Sequence, residues 1–346
     1  MRLTKQDVLN AVYGGVFYGG GGGGYFDVGM LLGNSALELG PVELVRPESL
    51  PEDTPVACVG FVGAPSGQGY LPNVQDTLRS VDLFLEHCLC PPKAFMTNEN
   101  GAMATVNGWL QAAYTNTVVV DAPANGRAHP TGVMGAMGLN RLPDYVSEQA
   151  VYASPERNDF FIGSIDDTSA RVRAFASQCG GLLPVVRNVI SVGFVRKNAA
   201  VGAIDSAMKV GAVNVASLKK APLAAAESIA SAAGGQVVDY GTVVAKEIST
   251  VDGFDVGKVT VRCGTVDYTS VFWNEHLDLV AKGTTLAKFP DLTVLFDFDS
   301  MRCITTAELR PGMQVALIVV PAQKLTLGRG MFLHENMIGV EKLLAR

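Results

Sequence analysis

The sequence predicts an α/β N-terminal domain with a largely parallel or mixed sheet, joined to a C-terminal domain that is rich in β structure. Up to about residue 165, short buried runs alternate with segments of helical periodicity, as in an α/β layer. Between about 236 and 325, short β runs follow one another between turns, as in a sandwich or a small barrel. The chain has 346 residues, of which 48% are hydrophobic, and this is enough for two domains.

The predicted first domain spans residues 1–165 and begins with a helix. Thr4 followed by Asp7 is close to a capping box, and the helix that it starts runs into six consecutive glycines at 19–24. A second helical stripe follows the glycines. Farther along, strands are predicted at 41–46, 55–63, 91–97 and 116–122, and helices at 74–90 and 99–114.

The predicted second domain spans residues 166–346. Its first part, 166–235, is expected to hold helices, because a capped helical pattern at 166–181 ends on a glycine pair and two alanine-rich helices come later. A buried strand is predicted between them at 185–195. The all-β section then occupies about 236–325.

Charge and composition exclude several classes of protein. The net charge is −6 and the longest basic cluster is Lys219-Lys220, which argues against nucleic-acid binding. No apolar run reaches the ~18 residues that span a bilayer, and the N-terminus lacks the apolar stretch of a signal peptide. The six cysteines are scattered, as expected for a cytoplasmic protein with reduced thiols. The glycine- and alanine-rich, weakly charged chain is also typical of a homo-oligomer.

Polar residues follow two of the predicted strands. Glu99 and Asn100 come after the first strand, and Asp121, Arg127 and His129 come after the second. Ligands of open α/β sheets collect outside the carboxyl ends of strands, so we expect these side chains to converge. Two carboxylates beside a histidine suit general acid–base catalysis or a divalent metal, and an arginine can hold a substrate carboxylate. Each residue also has a structural interpretation, as a helix-terminus acid, a turn cap or a hydrogen-bonded loop histidine.

The six glycines lie between two predicted helices, with Tyr18 before them and Tyr25 after them. A glycine loop that opens a helix exposes backbone N–H groups, which can hold an anion or a developing oxyanion. The alternative is a flexible linker, which the flanking aromatic residues and apolar helices disfavour. A dinucleotide fingerprint is also disfavoured, because it requires a strand before the glycines.

Other histidines have structural interpretations. Asn274, Glu275 and His276 end a predicted β run, and successive strand residues face opposite sides, so Glu275 and His276 share a pocket only if the strand breaks there. The same objection applies to His334, and His87 lies on an apolar helix face. If a metal is bound, the candidate ligands are Asp121, His129 and His334.

Several motifs together resemble a known family. "YGGGGGG", "ENGAMATVNGWLQAAY" and "VVVDAPANGRAHP" resemble the N-terminal domain of the S-methyl thiohydantoin desulfurase family. "VFWNEHL" and "AKFPDLTVLFDFDSMRCITTAELRPGMQV" resemble its C-terminal half, so the similarity covers most of the chain in order. The chain departs from the family pattern at His129, where the family tends to an aromatic residue, and at Thr131, where it tends to an acid. The matching positions are Gly21, Gly22, Gly23, Gly24, Glu99, Asn100, Gly101, Asn107, Asp121, Gly126, Arg127, Pro130, Asn274 and Glu275.

The resemblance implies action on, or association with, cyclic ureides such as hydantoins and thiohydantoins. The leading hypothesis is a hydrolase-like enzyme that hydrolyses, or removes sulfur from, such a small-molecule substrate. Glu99 or Asp121 would be the general base, His129 a proton donor or metal ligand, and the glycines, Asn100, Asn107 and Arg127 would bind the substrate. The alternative is a non-catalytic subunit or ligand-binding partner of a hydantoinase/oxoprolinase-type enzyme.

Overall fold

A seven-stranded mixed sheet forms the centre of the first domain in the computed structural model, which describes residues 1–67 and 69–345. Its strands are β1 (Leu44–Val45), β2 (Pro55–Val62), β3 (Ala94–Thr97), β4 (Val118–Val120), β5 (Ser147–Ser154), β6 (Arg157–Gly163) and β7 (Leu183–Ser191). They lie in the order β1-β4-β3-β2-β7-β5-β6. The first four are parallel to one another, and β7, β5 and β6 continue the sheet with antiparallel pairs. The predicted α/β domain with a mixed sheet is therefore confirmed.

Helices cover this sheet and connect it to the second domain. They are α1 (Lys5–Tyr18), α2 (Phe26–Leu39), α3 (Val74–His87), α4 (Trp109–Thr115), α5 (Ile165–Cys179), α6 (Val192–Asn198), α7 (Ala203–Ser217) and α8 (Pro222–Ala232). The capping box expected at the first helix is present, because the Thr4 hydroxyl accepts from the Asp7 N–H and the Asp7 carboxylate accepts from the Thr4 N–H. The helix therefore starts where the sequence predicts, and it delivers the glycine segment at its end.

The second domain is built on a nine-stranded antiparallel sheet, which confirms the predicted β-rich C-terminal domain. Its strands are β8 (Gln236–Val251), β9 (Phe254–Cys263), β10 (Val266–Trp273), β11 (Glu275–His276), β12 (Asp278–Ala281), β13 (Thr284–Lys288), β14 (Leu292–Asp297), β15 (Arg302–Ile304) and β16 (Gln314–Val320). The sheet order is β13-β12-β10-β9-β8-β16-β14-β15, and β11 pairs with β10. A last helix, α9 (His334–Leu344), follows.

Three local predictions differ from the structure. The helix predicted at 99–114 forms only as a 3-10 turn at Ala104–Val106 and as α4, because the N–H groups of Met103 and Ala104 donate to the Gly23 carbonyl instead of continuing one helix. The strand predicted at 185–195 ends at Ser191, whose hydroxyl accepts from the Phe194 N–H and caps α6. The segment around His334 is the start of α9 rather than a strand.

Strand β7 lies in the middle of the first sheet, between β2 and β5. The chain therefore returns to the first domain after the boundary predicted at 165/166. Arg187 on this strand pairs in register with Cys58 and Gln149, so its side chain belongs to the core of the first domain. In the described ranges, no helix is both long and apolar enough to cross a membrane.

Candidate functional site

The glycine segment is fixed between the two domains by its own carbonyl groups. The Gly20 oxygen accepts from the His276 N–H at 2.8 Å, and the Gly21 oxygen accepts from the Thr306 N–H at 2.7 Å. On the other side, the Gly23 oxygen accepts from the N–H groups of Met103 and Ala104, each at 3.1 Å. The segment is therefore an ordered connection, and the interpretation as a flexible linker is wrong.

Close approach explains why side chains are missing from this segment. A Cβ added at Gly22 would lie 2.0 Å from Oε1 of Glu275, and one added at Gly23 would lie 2.3 Å from Cα of Gly101. Real Cβ atoms do not come that near to other atoms, so only glycine lets the backbone pass between the domains here.

A narrow cavity of ≈ 70 Å³ lies beside the glycine segment. Both domains line it, and its polar wall is made by a group of amides, acids and basic side chains. These are Asn98, Glu99, Asn107, His129, Ser169, Arg173, Arg187, Asn274 and Glu275. Gly23 and Gly24 complete the wall on the side of the glycine segment.

Glu99 and His129 form a buried pair on this wall. Nε2 of His129 lies 3.3 Å from Oε2 of Glu99, and the same oxygen accepts from the His129 N–H at 3.2 Å. Nδ1 of His129 is 2.9 Å from the Thr131 carbonyl, which can only accept, so Nδ1 carries the hydrogen. In the neutral ring, Nε2 therefore presents its lone pair to Glu99.

The environment favours the protonated form of Glu99 and the neutral form of His129. Burial raises the pKa of Glu99 to about 8, although the His129 N–H and Arg187 oppose this. Burial also lowers the pKa of His129 to about 3, and the positive charge of Arg187 lowers it further. At neutral pH, the carboxyl group of Glu99 is therefore protonated, and it lies beside the lone pair of Nε2, so it can act as a proton donor.

Glu275 is the second acid on the cavity wall, and it comes from the other domain. It is 2% exposed, and its Oε2 has no hydrogen-bond partner in the described part of the chain. Burial raises its pKa well above the ordinary value, and the nearby Glu99 adds to this, while Arg127 opposes it. Two acids that perturb each other in one cavity are typical of acid–base sites.

A break in the strand brings Glu275 to the cavity. Asn274 has a φ of 56°, which ends β10 and turns the chain back so that Glu275 pairs with Trp273. His276 faces the other way, and its Nδ1 lies 2.8 Å from the Ser270 hydroxyl. The strand break that would let Glu275 and His276 share a pocket is present at Asn274, but of the two only Glu275 lines the cavity.

Several polar groups on the wall lack a protein partner. Oδ1 of Asn98 and both amide atoms of Asn107 are buried without a hydrogen bond to any described residue. The backbone N–H groups of Gly23 and Gly24 likewise donate to no acceptor within the described ranges. Buried polar groups are normally paired, so this wall is suited to a polar ligand.

Other predicted site residues lie away from the cavity. Oδ1 of Asp121 accepts from the Ile204 N–H at 2.9 Å at the start of α7, and its Oδ2 is 3.5 Å from Nη1 of Arg46. Asn100 donates to the carbonyls of Gly126 and Ala203, which ties three segments together. The structure therefore brings Glu99, Asn107 and His129 together and places Asp121 and Asn100 in supporting contacts.

Arg127 is fully buried, and two of its three nitrogens donate to carbonyl groups of the protein, whereas Nη2 has no partner among the described residues. Nε donates to the Ala128 carbonyl, and Nη1 donates to the carbonyls of Pro290 and Asp291, at 3.1 Å and 2.5 Å. The guanidinium also lies 4.5 Å from the centre of the Phe289 ring. Its place is behind the glycine segment, where it holds the second domain to the first rather than facing the cavity.

The candidate metal ligands do not form a cluster. Among residues 1–67 and 69–345, no group of three or more His, Cys, Asp or Glu side chains is arranged to hold a metal ion. His129 lies in the cavity wall, Asp121 lies at the start of α7, and His334 begins α9.

Sequence reasoning missed Arg187 and Asn98 as cavity residues. A signal for Arg187 was available, because "VVRNVI" places an arginine in an otherwise apolar buried strand, where a charge requires a reason. Asn98 directly precedes Glu99, and only the course of the chain after β3 turns its amide toward the cavity.

The fold and the site define a two-domain protein whose acid-lined cavity is closed by a glycine segment between an α/β sheet and an antiparallel β sheet. Residues 6–153 match the S-Me-THD-like N-terminal domain, and residues 164–331 match the S-Me-THD-like C-terminal domain. The chain therefore belongs to the S-Me-THD-like family, and the resemblance to S-methyl thiohydantoin desulfurases is confirmed.

Solved structures contain the same fold. A protein from Chromobacterium violaceum, known from its crystal structure, is 19% identical to this chain and superposes with a TM-score of 0.70. The match covers 100% of this chain and 96% of the other, so the two-domain arrangement is shared along the whole length. A comparison with curated proteins gave no match.

Proposed function

We propose that the protein is an enzyme that removes sulfur from, or hydrolyses, a small cyclic ureide or thiohydantoin. The observation that carries the proposal is the close pair of Glu99 and His129 in the same cavity as Glu275, whose pKa is also raised. Acids of this kind are matched to proton transfer near neutral pH. Membership of the S-Me-THD-like family supports the choice of ring.

The size of the cavity suits a five-membered ring. A water molecule needs roughly 10–15 Å³ of such space, so ≈ 70 Å³ holds about five to seven water-sized groups. A thiohydantoin ring with its two exocyclic atoms has about seven non-hydrogen atoms, counted on the same scale.

In the proposed reaction, Glu275 is the general base and Glu99 is the general acid. Glu275, as the carboxylate, takes a proton from a water molecule, whose oxygen attacks the ring carbon that bears sulfur. The free N–H groups of Gly23 and Gly24 donate to the negative charge that develops on the ring. Glu99 then gives its proton to the leaving sulfur as the C–S bond breaks, so that hydrosulfide or a thiol leaves. The hydroxyl group on the ring carbon loses its proton, to the ring nitrogen when a thiol leaves and to solvent when hydrosulfide leaves, and a C=O group remains. Solvent exchange moves the proton from Glu275 back to the pair.

The test is turnover of 2-thiohydantoin and S-methyl thiohydantoin by the purified protein, with release of sulfide or methanethiol as the readout. We expect product with the natural chain and loss of turnover in Glu99→Gln and in Glu275→Gln. Glu335→Gln is the matched control, because Glu335 pairs with Arg141 on the surface. Ring binding without turnover in the natural chain would instead favour the non-catalytic partner of a hydantoinase-type enzyme.

A further inference from the structure

Arg187 is the buried cation that the proposed reaction leaves unused. It is 3% exposed and lines the cavity. None of the ion pairs formed within residues 1–67 and 69–345 includes it. Its polar neighbour across the strand pair is the Cys58 thiol, which is only a weak acceptor.

A comparison with Arg127 shows that Arg187 lacks carbonyl acceptors for its guanidinium in the part of the chain that the structure describes. Arg127 is buried too, but its Nε and Nη1 donate to three carbonyl groups, and only its Nη2 has no partner among the described residues. A buried guanidinium without such partners is costly, because it loses its hydration and gains nothing in exchange. The loop after His129 passes close to the group: a Cβ added at Gly132 would lie 3.2 Å from Nη1 of Arg187, which is tighter than an ordinary contact. Arg187 also lines the cavity, so a ligand there can supply the acceptors that the protein does not.

We propose that Arg187 binds the negative charge of the substrate, and that the cavity selects a planar anionic ring over a neutral one. This inference rests on the proposed function. A guanidinium presents two parallel N–H donors that match a delocalised N–C–O, N–C–S or carboxylate anion. The charge has two chemical sources, an ionised ring nitrogen beside its carbonyl or thione, and a carboxylate on a short ring substituent.

The remaining wall accepts an anion. Glu99 carries its proton at neutral pH, so it does not repel a negative ring. Asn107 is buried with its amide unpaired, and it can donate to the same ligand. Gly23 and Gly24 also line the cavity, and their N–H groups have no acceptor among the described residues, so they are available as further donors. The cavity wall thus combines two guanidinium groups, Arg187 and Arg173, with several donors, and the two cations outnumber the single negative charge that Glu275 carries as the base.

Calorimetric titration with three probes tests the proposal. Hydantoin-5-acetate carries a carboxylate, hydantoin has a ring nitrogen that ionises, and 1,3-dimethylhydantoin carries no charge. We expect the natural chain to prefer one of the first two probes, and Arg187→Met to weaken that probe about 10- to 100-fold while leaving the dimethyl probe unchanged. The probe that loses affinity identifies the source of the charge.

Two further variants separate binding from folding. Arg187→Lys keeps the charge but loses the paired donors, so we expect intermediate affinity. Arg171→Met removes a surface arginine that pairs with Asp167, and it should bind as the natural chain does. Because Arg187→Met removes a buried charge without a protein partner, its melting temperature should not fall. A fall together with unchanged binding by the folded fraction would assign Arg187 to folding alone and overturn the proposal.

Failure of this inference can be told apart from failure of the proposed function. Equal affinity of Arg187→Met for all three probes, or a natural chain that binds no anionic probe, overturns the inference. If thiohydantoin turnover persists in that case, the proposed function stands. Anion binding that depends on Arg187, without turnover of any thiohydantoin, would keep this inference and remove the enzymatic function.

Discussion

The ends of strands β3 and β4 lie side by side, and each is followed by an acid, but the two acids have different surroundings. The strands pair in parallel, with Phe95 opposite Val119. Glu99 lines the cavity with its Oε2 3.3 Å from Nε2 of His129, whereas Asp121 accepts from the Ile204 N–H at the start of α7. Gly202 precedes that helix and has no side chain to cap it. The Asp121 carboxylate therefore accepts the hydrogen bond from the Ile204 N–H at the start of the helix. Equal positions in a sheet therefore do not give equal roles.

The largest expected difference between the two acids is in turnover. Glu99→Gln removes the proton that the leaving sulfur needs, so we expect kcat/KM for S-methyl thiohydantoin to fall about 10²- to 10⁴-fold. Asp121→Asn keeps an acceptor for the Ile204 N–H and leaves the cavity intact, so kcat/KM should stay within a few-fold of the natural chain. Steady-state assays of methanethiol release measure both. Equal losses of kcat/KM in the two variants would show that the two acids do not have different roles.

The sequence alone predicted the first domain's part of this site correctly for Glu99 and His129 and wrongly for Asp121. Parallel strands bring their carboxyl ends to one edge of a sheet, so Glu99 and His129 were expected together, and they are. The same rule also placed Asp121 in the site. It does not foresee that the Gly202 N–H donates to the Asp121 carbonyl at 2.8 Å and that α7 begins beside it, because this depends on a segment eighty residues later.

The contribution of the second domain was the hardest part to predict. Glu275 reaches the cavity only because Asn274 breaks the strand and because the glycine segment allows the domains to come close. Neither condition is visible in the alternation of strand residues. The glycine run itself was a strong signal for an ordered, crowded segment, since fixing six glycines is costly without contacts to offset it. The sequence assigned the strand that contains Arg187 to the second domain, so Arg187 was not expected at this cavity.

The pH dependence of turnover sharpens the role of Glu99. Because its pKa is raised to about 8 and the protonated form is the acid, kcat/KM should fall about tenfold per pH unit above that value. On the acid side, Glu275 must be ionised, and its raised pKa moves that limb above the range of an ordinary glutamate. His129, with a pKa of about 3, stays neutral and adds no limb near 6.5.

The measurement is kcat/KM across the pH range in which the chain stays folded. Glu275→Gln should remove the acid limb from its residual activity, and Asp121→Asn should leave both limbs where they are. An alkaline limb that is missing in the natural chain would show that Glu99 does not act as the acid.

Crowding at the glycine segment predicts a loss of stability. Gly22→Ala would place a methyl group 2.0 Å from Oε1 of Glu275, so the backbone or the acid must move. We expect the free energy of unfolding to fall by about 1–3 kcal/mol, measured by urea denaturation. Gly40→Ala is the matched control, because the nearest atom to its added Cβ is 3.7 Å away. Similar stability of the two variants would mean that the segment is less tightly held than its contacts indicate.

The smallest expected effect is at the other strand end, in the ion pair of Arg46 and Asp121. The Arg46 side chain is 53% exposed, so solvent screens the pair, and Arg46→Met should change the free energy of unfolding by less than about 1 kcal/mol. The pKa of Asp121 is already raised by burial, and the loss of Arg46 should raise it further, since the remaining N–H donors compensate only in part. Turnover should not change, because neither residue touches the cavity wall. A marked loss of turnover at unchanged stability would show that the start of α7 is coupled to the site, and that the division between the two strand ends is incomplete.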